Sequence, residues 1–250
     1  MTLRLEMQGA IAHLLIDRAV KRNAFDLAMW TAIPQFLAEV AADPEVRLLV
    51  LRAAEPGAFC AGADIGELLA NKDDADWRAA NQRAINTAQF ELTRFTLPTI
   101  AFVDGDCVGG GCGLALACDL RVASPRARFG ITPAKLGLVY SLQDVKLLID
   151  LVGPGQARRM LYTGSLIDAA EALRIGLVEV VGEDIAQFAD PILAASPHST
   201  RAIKGFVRRV LDGQAHDDAD TLAVFAAAFT GQDFLEGTSA FVEKRKPEFR

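Results

Sequence analysis

Tyrosine and tryptophan are scarce in this chain, two of each in 250 residues, and histidine occurs only three times. His13, His198 and His216 fall outside every motif described below, so none is assigned to catalysis. Basic residues are in deficit: 26 Lys and Arg stand against 32 Asp and Glu, a net charge of −6. With no basic stripe interleaved with aromatics, no nucleic-acid partner is expected. Long apolar runs are missing too. The longest nearly uncharged stretch, around 107–118, is too short and too rich in glycine to cross a membrane, so no membrane partner is expected. Acidic and polar residues interrupt the N-terminal segment early, which excludes a secretory or transit peptide and leaves a cytoplasmic location as the default. Cysteine is limited to Cys60, Cys107, Cys112 and Cys118, with no C-x-x-C spacing and no histidine nearby. These read as small buried thiols, and no metal site is expected. Low-complexity tracts are absent.

What remains is a chain 51% hydrophobic and 23% charged, enough apolar material for a sizeable core and one domain with an appendage. Residues 1–17 alternate as two short strands around Gln8-Gly9. Apolar residues at Met29, Ile33, Phe36 and Val40 mark a helix face, with Pro34 expected to bend it. Buried strands are expected at 46–52 and 98–103. A polar stretch at 70–78 precedes a long helix with Ile85, Ala88, Leu92 and Phe95 on one face. Asp64 reads as an N-cap completed by Glu67, Gly153 as a C-cap and Asp168 as an N-cap. Beyond about 184 the chain is helical and Ala-rich. Its apolar faces suggest packing on the main domain and on neighbouring subunits. The cluster Arg201, Lys204, Arg208 and Arg209 reads as a solvated helix face.

The chemistry lies in two glycine turns, Ala58–Ile65 and Val108–Leu116, each following a β-like run and opening a helix-like one. Such a junction leaves free N–H groups at a helix N-terminus, where the dipole is positive. Two junctions converging on one oxygen would make an oxyanion hole.

The segments RNAF (22–25), AFCAGADI (58–65), PTIAFVDG (98–105), GGGCGLALACDLRVAS (109–124), ARFGITPAKLG (127–137) and FVEKRKPEF (241–249) resemble, in order, those of the crotonase superfamily, the enoyl-CoA hydratase/isomerase family. The resemblance implies an α/β fold, a crotonase-like spiral of ββα units over 1–185. A helical region at 186–250 would then build a homotrimer, often paired into a hexamer. The substrate would be an acyl-coenzyme A thioester; coenzyme A enters as part of it, and no separate cofactor is expected. Carried over by position, the oxyanion amides are those of Ala63 and Gly110. Lys21, Arg22 and Ala24, with Ala61, Ala63, Asp64 and Ile65, would hold the adenine and phosphate portions. Phe241 and Lys244 would contact coenzyme A from the C-terminal motif.

The departures bear on the reaction. Hydratases of the family add water with two glutamates. Their places, four residues after Gly109 and after Phe129, hold Gly113 and Pro133. Neither residue can move a proton. The first reading is an enolate enzyme of hydratase/isomerase type, with Asp144 as a displaced general base for isomerisation. A malonyl-type decarboxylase is the alternative, because loss of carbon dioxide makes the enolate without a base. ITPAKLGLVYS resembles methylmalonyl-CoA decarboxylases in Thr132-Pro133 and Tyr140. Thr132 would orient the carboxylate and Tyr140 would donate a hydrogen bond or a proton. The third reading is a thioester-binding protein without catalysis.

Overall fold

The computed structural model describes residues 2–249. Strands β1 (Leu3–Gln8) and β2 (Ile11–Ile16) pair antiparallel around Gly9, whose φ of +58° suits glycine. After a polar loop, Asp26 caps α1 (Leu27–Ala42) by accepting from the Met29 amide at 2.9 Å. Its buried face is Met29, Trp30, Ile33, Leu37 and Val40. Phe36, expected on that face, is only half-buried, and Pro34 leaves the helix continuous.

Strand β3 (Leu48–Ala53) leads into the first glycine turn and α2 (Ile65–Ala70). Asp64 caps α2 as expected, but Glu67 does not close a capping box. Its carboxylate accepts from the Leu27 amide at 3.0 Å and so ties α2 to the start of α1. The stretch at 70–78 is a turn followed by helix: Asp74 caps α3 (Ala75–Thr93), which starts earlier than the polar sequence suggests.

Then come β4 (Thr99–Val103), β5 (Asp106–Val108), α4 (Gly110–Ala117), β6 (Leu120–Ala123) and β7 (Arg128–Gly130). Helix α5 (Leu142–Thr163) is two segments meeting at Gly153, where φ is +70°. The expected stop is there, and the chain restarts at once through Pro154. β8 (Ile167–Asp168), α6 (Ala169–Arg174) and β9 (Val180–Val181) follow.

One sheet runs β1-β2-β3-β4-β6-β9, parallel from β2 onward; a second runs β5-β7-β8. β4 is buried along its whole length and β3 nearly so, as strands covered on both faces must be. Each buried Leu, Ile or Val there contributes about 1.5–3 kcal/mol. The result is the α/β fold that the family segments imply.

The chain divides into two compact units, one running to Ile185 and the other comprising Ala186 onward with Thr96–Pro98. The second holds α7 (Ala186–Ala194), α8 (Pro197–Leu211), α9 (Ala219–Ala228) and α10 (Gln232–Glu243). A capping box joins Asp218 and Thr221 at the start of α9, and the rings of Phe225, Phe229 and Phe234 meet in series, the first pair edge-on and the second tilted. Its basic cluster is more than a solvated face. Lys204 donates to the Leu97 carbonyl at 2.7 Å, and Arg209 pairs with Asp218 at 2.9 Å. No helix among the described residues is long and apolar enough to cross a membrane.

Candidate active site

The first glycine turn is held by main-chain bonds on both sides. The Phe25 N–H donates to the Gly62 carbonyl and the Asp64 N–H donates to the Phe25 carbonyl, each at 2.8 Å. In such a parallel bridge the residue between, Ala63, turns its own N–H away from Phe25. The second turn is tied to the first. Cys60 N–H donates to the Asp106 carbonyl at 3.0 Å, and Val108 N–H donates to the Cys60 carbonyl at 2.9 Å. Gly109 N–H donates to the Gly130 carbonyl at 2.8 Å.

These ties press the turns together. A Cβ on Gly62 would lie 3.4 Å from the Gly110 nitrogen, and one on Gly110 would lie 3.8 Å from the Ala63 nitrogen. Neither the Ala63 nor the Gly110 N–H donates to an acceptor among the described residues. Gly110 is the first residue of α4, so its amide also carries the positive end of that helix. Trp30 walls it: its ring would come within 3.2 Å of a Gly110 Cβ.

One turn further along α4 stands Gly113. A Cβ there would collide with Gln89 Nε2 and would lie 2.6 Å from Asp144 Oδ1 and 3.3 Å from the Tyr140 hydroxyl. Three polar side chains from α3, α5 and the connecting turn therefore meet where a side chain of α4 is missing. Tyr140 donates to the Gly109 carbonyl at 3.1 Å. Burial, and then the charge of Asp144, raise its phenol well above the ordinary value. Ser141 caps α5 by accepting from the Asp144 amide, and its hydroxyl donates to Asp144 Oδ2 at 2.7 Å. Asp144 is only 3% exposed. Burial pushes its carboxyl up to about 6, against the lowering influence of the Ser141 hydroxyl and the Gln89 amide. The Thr132 hydroxyl lies at the same end of α4, 3.8 Å from where a Gly109 Cβ would be. Pro133 opens a short 3-10 turn, Pro133–Leu136.

The remaining first-unit candidates cluster around the first turn. Lys21 and Arg22 are exposed, while Ala24 is buried and Ala61 half-buried. Arg22 and Arg128 both pair with the buried Asp106. Ala61 N–H donates to the Arg22 carbonyl at 3.0 Å. Arg22 and Asn23 take positive φ, and the Asn23 side chain fixes that bend by donating to the Ala58 carbonyl at 2.7 Å. Asp64 is worked on by burial, which raises it. The amides of Glu67 and Gly66, with Lys21 and Arg18, outweigh that and hold it below the ordinary carboxylate value. Ile65 is exposed at the start of α2. In the second unit, Phe241 lies exposed on α10 and Lys244 ends that helix with φ +55°.

All four cysteines are free and buried, and Cys60 is pushed up to about 12 by burial. Such thiols are inert. Gln89 is the residue that sequence reasoning missed. It sits four residues after Ile85, on the apolar stripe of α3, and a carboxamide at such a place was the available signal.

A family model described as enoyl-CoA hydratase/isomerase matches residues 6–250. The chain is 33% identical to a crotonyl-CoA hydratase of Syntrophomonas wolfei, over 98% of this chain and 96% of the relative. The crystal structure of an enoyl-CoA hydratase/isomerase family protein from Hyphomonas neptunium superposes with a TM-score of 0.96 at 37% identity, covering 100% of this chain and 98% of the other. That of an enoyl-CoA hydratase/carnithine racemase from Magnetospirillum magneticum gives 0.94 at 31%, covering 100% and 96%.

Proposed function

The chain belongs to the enoyl-CoA hydratase/isomerase family, and from that premise we propose that it shifts a double bond along an acyl-coenzyme A through an enolate. Asp144 is the single proton carrier. The carboxyl removes a proton from the α-carbon, and the electron pair moves onto the thioester oxygen. The amides of Ala63 and Gly110 stabilise that charge. Asp144 then returns the proton at the γ-carbon, leaving the double bond conjugated with the thioester.

One observation carries this reading: a buried carboxyl, raised to about 6, lies against Gly113, one turn along α4 from Gly110. A carboxyl poised near neutrality serves as base and then as acid in one turnover. With Gly113 and Pro133 at the positions of the family's glutamates, no second carboxylate is offered for the two-carboxylate addition of water. Asp144 is sheltered, so an acyl chain has to part it from its neighbours. The turn that carries Tyr140 over it is exposed from Ala134 to Val139. Lys21 and Arg22 supply the positive charge for the diphosphate.

Thr132 and Tyr140 support a second reading, decarboxylation of a malonyl-type thioester, since both hydroxyls lie at the N-terminus of α4 and no base is needed. An ionised Asp144 beside them would repel the substrate carboxylate, which favours the first reading. Incubation with 3-enoyl-CoA in deuterated water separates the two. Conjugated product that carries the substrate's own α-hydrogen at the γ-carbon with little deuterium taken up, lost in Asp144→Asn, supports isomerisation. Carbon dioxide from methylmalonyl-CoA, lost in Tyr140→Phe, supports the second reading. Binding with neither reaction supports a non-catalytic thioester protein.

A further inference from the structure

Gln89 is 0% exposed, and its two amide atoms and Asp144 Oδ1 are all buried without a closed hydrogen bond. Leaving such groups unpaired is costly, and a hydrocarbon side chain would bury the same surface of α3 without that cost. The amide nitrogen nevertheless faces Asp144, near enough to favour the carboxylate. Catalytic hydrogen bonds are often long in the unliganded protein and tighten with substrate. The other carboxyl oxygen, Oδ2, is already held by the Ser141 hydroxyl at 2.7 Å.

We propose that Gln89 is the positioning residue of Asp144, holding the carboxyl in one orientation whether or not it carries the proton. A carboxamide is suited to this because it has both a donor and an acceptor. Nε2 donates to the carboxylate. After proton abstraction the new carboxylic O–H donates to Oε1, and return of the proton restores the first arrangement. No other proton source enters. Gly113 makes the pair possible, because any side chain there would take the space of both. The other groups bearing on this cluster are Tyr140 and Ser141 from the turn. Beyond Tyr140 come the Cys112 thiol of α4 and the Cys107 thiol of β5. Burial raises both Tyr140 and Cys107, so neither of them carries charge near pH 6. On α5 itself, Lys146 is exposed and pairs with Asp150 at 2.6 Å. The inference rests on Asp144 as the proton carrier.

The test is a carboxyl-carbon NMR titration of the whole protein labelled at aspartate, with the Asp144 resonance identified by its loss in Asp144→Asn. In Gln89→Met, proton affinity at Asp144 rises about tenfold, roughly the loss of one hydrogen bond to a charged group. In Gln89→Glu, two neighbouring carboxyls titrate in two separated steps. An unchanged midpoint in folded Gln89→Met, or a single step at the wild-type midpoint in Gln89→Glu, overturns the proposal. These readouts need no turnover. Isomerisation that survives Asp144→Asn would instead overturn the functional reading and leave the titration result standing.

Discussion

Phe25 grips the peptide on either side of Ala63: its N–H donates to the Gly62 carbonyl and its carbonyl accepts from Asp64 N–H, both at 2.8 Å. A residue 38 positions upstream in the chain thus aims one of the two amides of the proposed oxyanion hole. α4 aims the other, at Gly110. Because both donors are main chain, no side-chain substitution deletes one cleanly. Replacing the Gly110 amide by an ester does. The proposed function predicts a loss of about 100- to 1,000-fold in kcat, roughly 3–4 kcal/mol, with the fold intact by circular dichroism.

Asp144 links the site to pH. Its folded carboxyl titrates at about 6, above the ordinary 3.8. A carboxyl raised in this way contributes stability that is fully present below the unfolded value and is lost as pH rises through about 6. At neutral pH the buried charge is therefore a burden on the order of 2–3 kcal/mol. Asp144→Asn is expected to raise the melting temperature at pH 7.5 by several degrees and to change it little at pH 4.

In the proposed reaction the same group sets the rate. Isomerisation needs the ionised carboxyl, so kcat/KM is expected to fall about tenfold per pH unit below about 6 and to level off above it. A stopped-flow pH profile checks this.

Packing around α4 gives a graded prediction. A Cβ on Gly113 meets two side-chain ends, Gln89 and Asp144, whereas one on Gly111 meets the Cys60 carbonyl, which is main chain. Gly113→Ala is expected to cost about 1–3 kcal/mol in urea unfolding. Part of that cost should be recovered in the Gln89→Ala background. Gly111→Ala should cost more and recover nothing from that change.

The ions at the first turn should act on binding alone. Arg22 is exposed and shares Asp106 with Arg128. Arg22→Ala, like Lys21→Ala, is expected to raise KM several-fold with kcat unchanged, and the effect should shrink at high salt.

Much of this was readable from the chain. The caps at Asp64 and Asp168, the break at Gly153 and the buried strands follow from local chemistry that tertiary contacts did not override. The family segments pointed to the α/β fold because glycines were needed where two turns press together, at Gly62 and Gly110. What stayed hidden depends on partners distant in sequence. Glu67 has the spacing of a capping box, yet the Leu27 amide, brought close only by folding, claims its carboxylate. Gln89 is a carboxamide on the apolar stripe of α3, and its burial depends on α4 presenting no side chain at Gly113. Asp144 was open to reading as a base, but the burial that raises its carboxyl depends on α3 and Tyr140 closing over it.

Convergence of two main-chain nitrogens on one thioester oxygen is most directly measured in a crystal structure with a bound acyl-coenzyme A analogue. The account predicts that oxygen within about 2.7–3.1 Å of both the Ala63 and the Gly110 nitrogens. A thioester oxygen bonded to only one of them, or to neither, would contradict it.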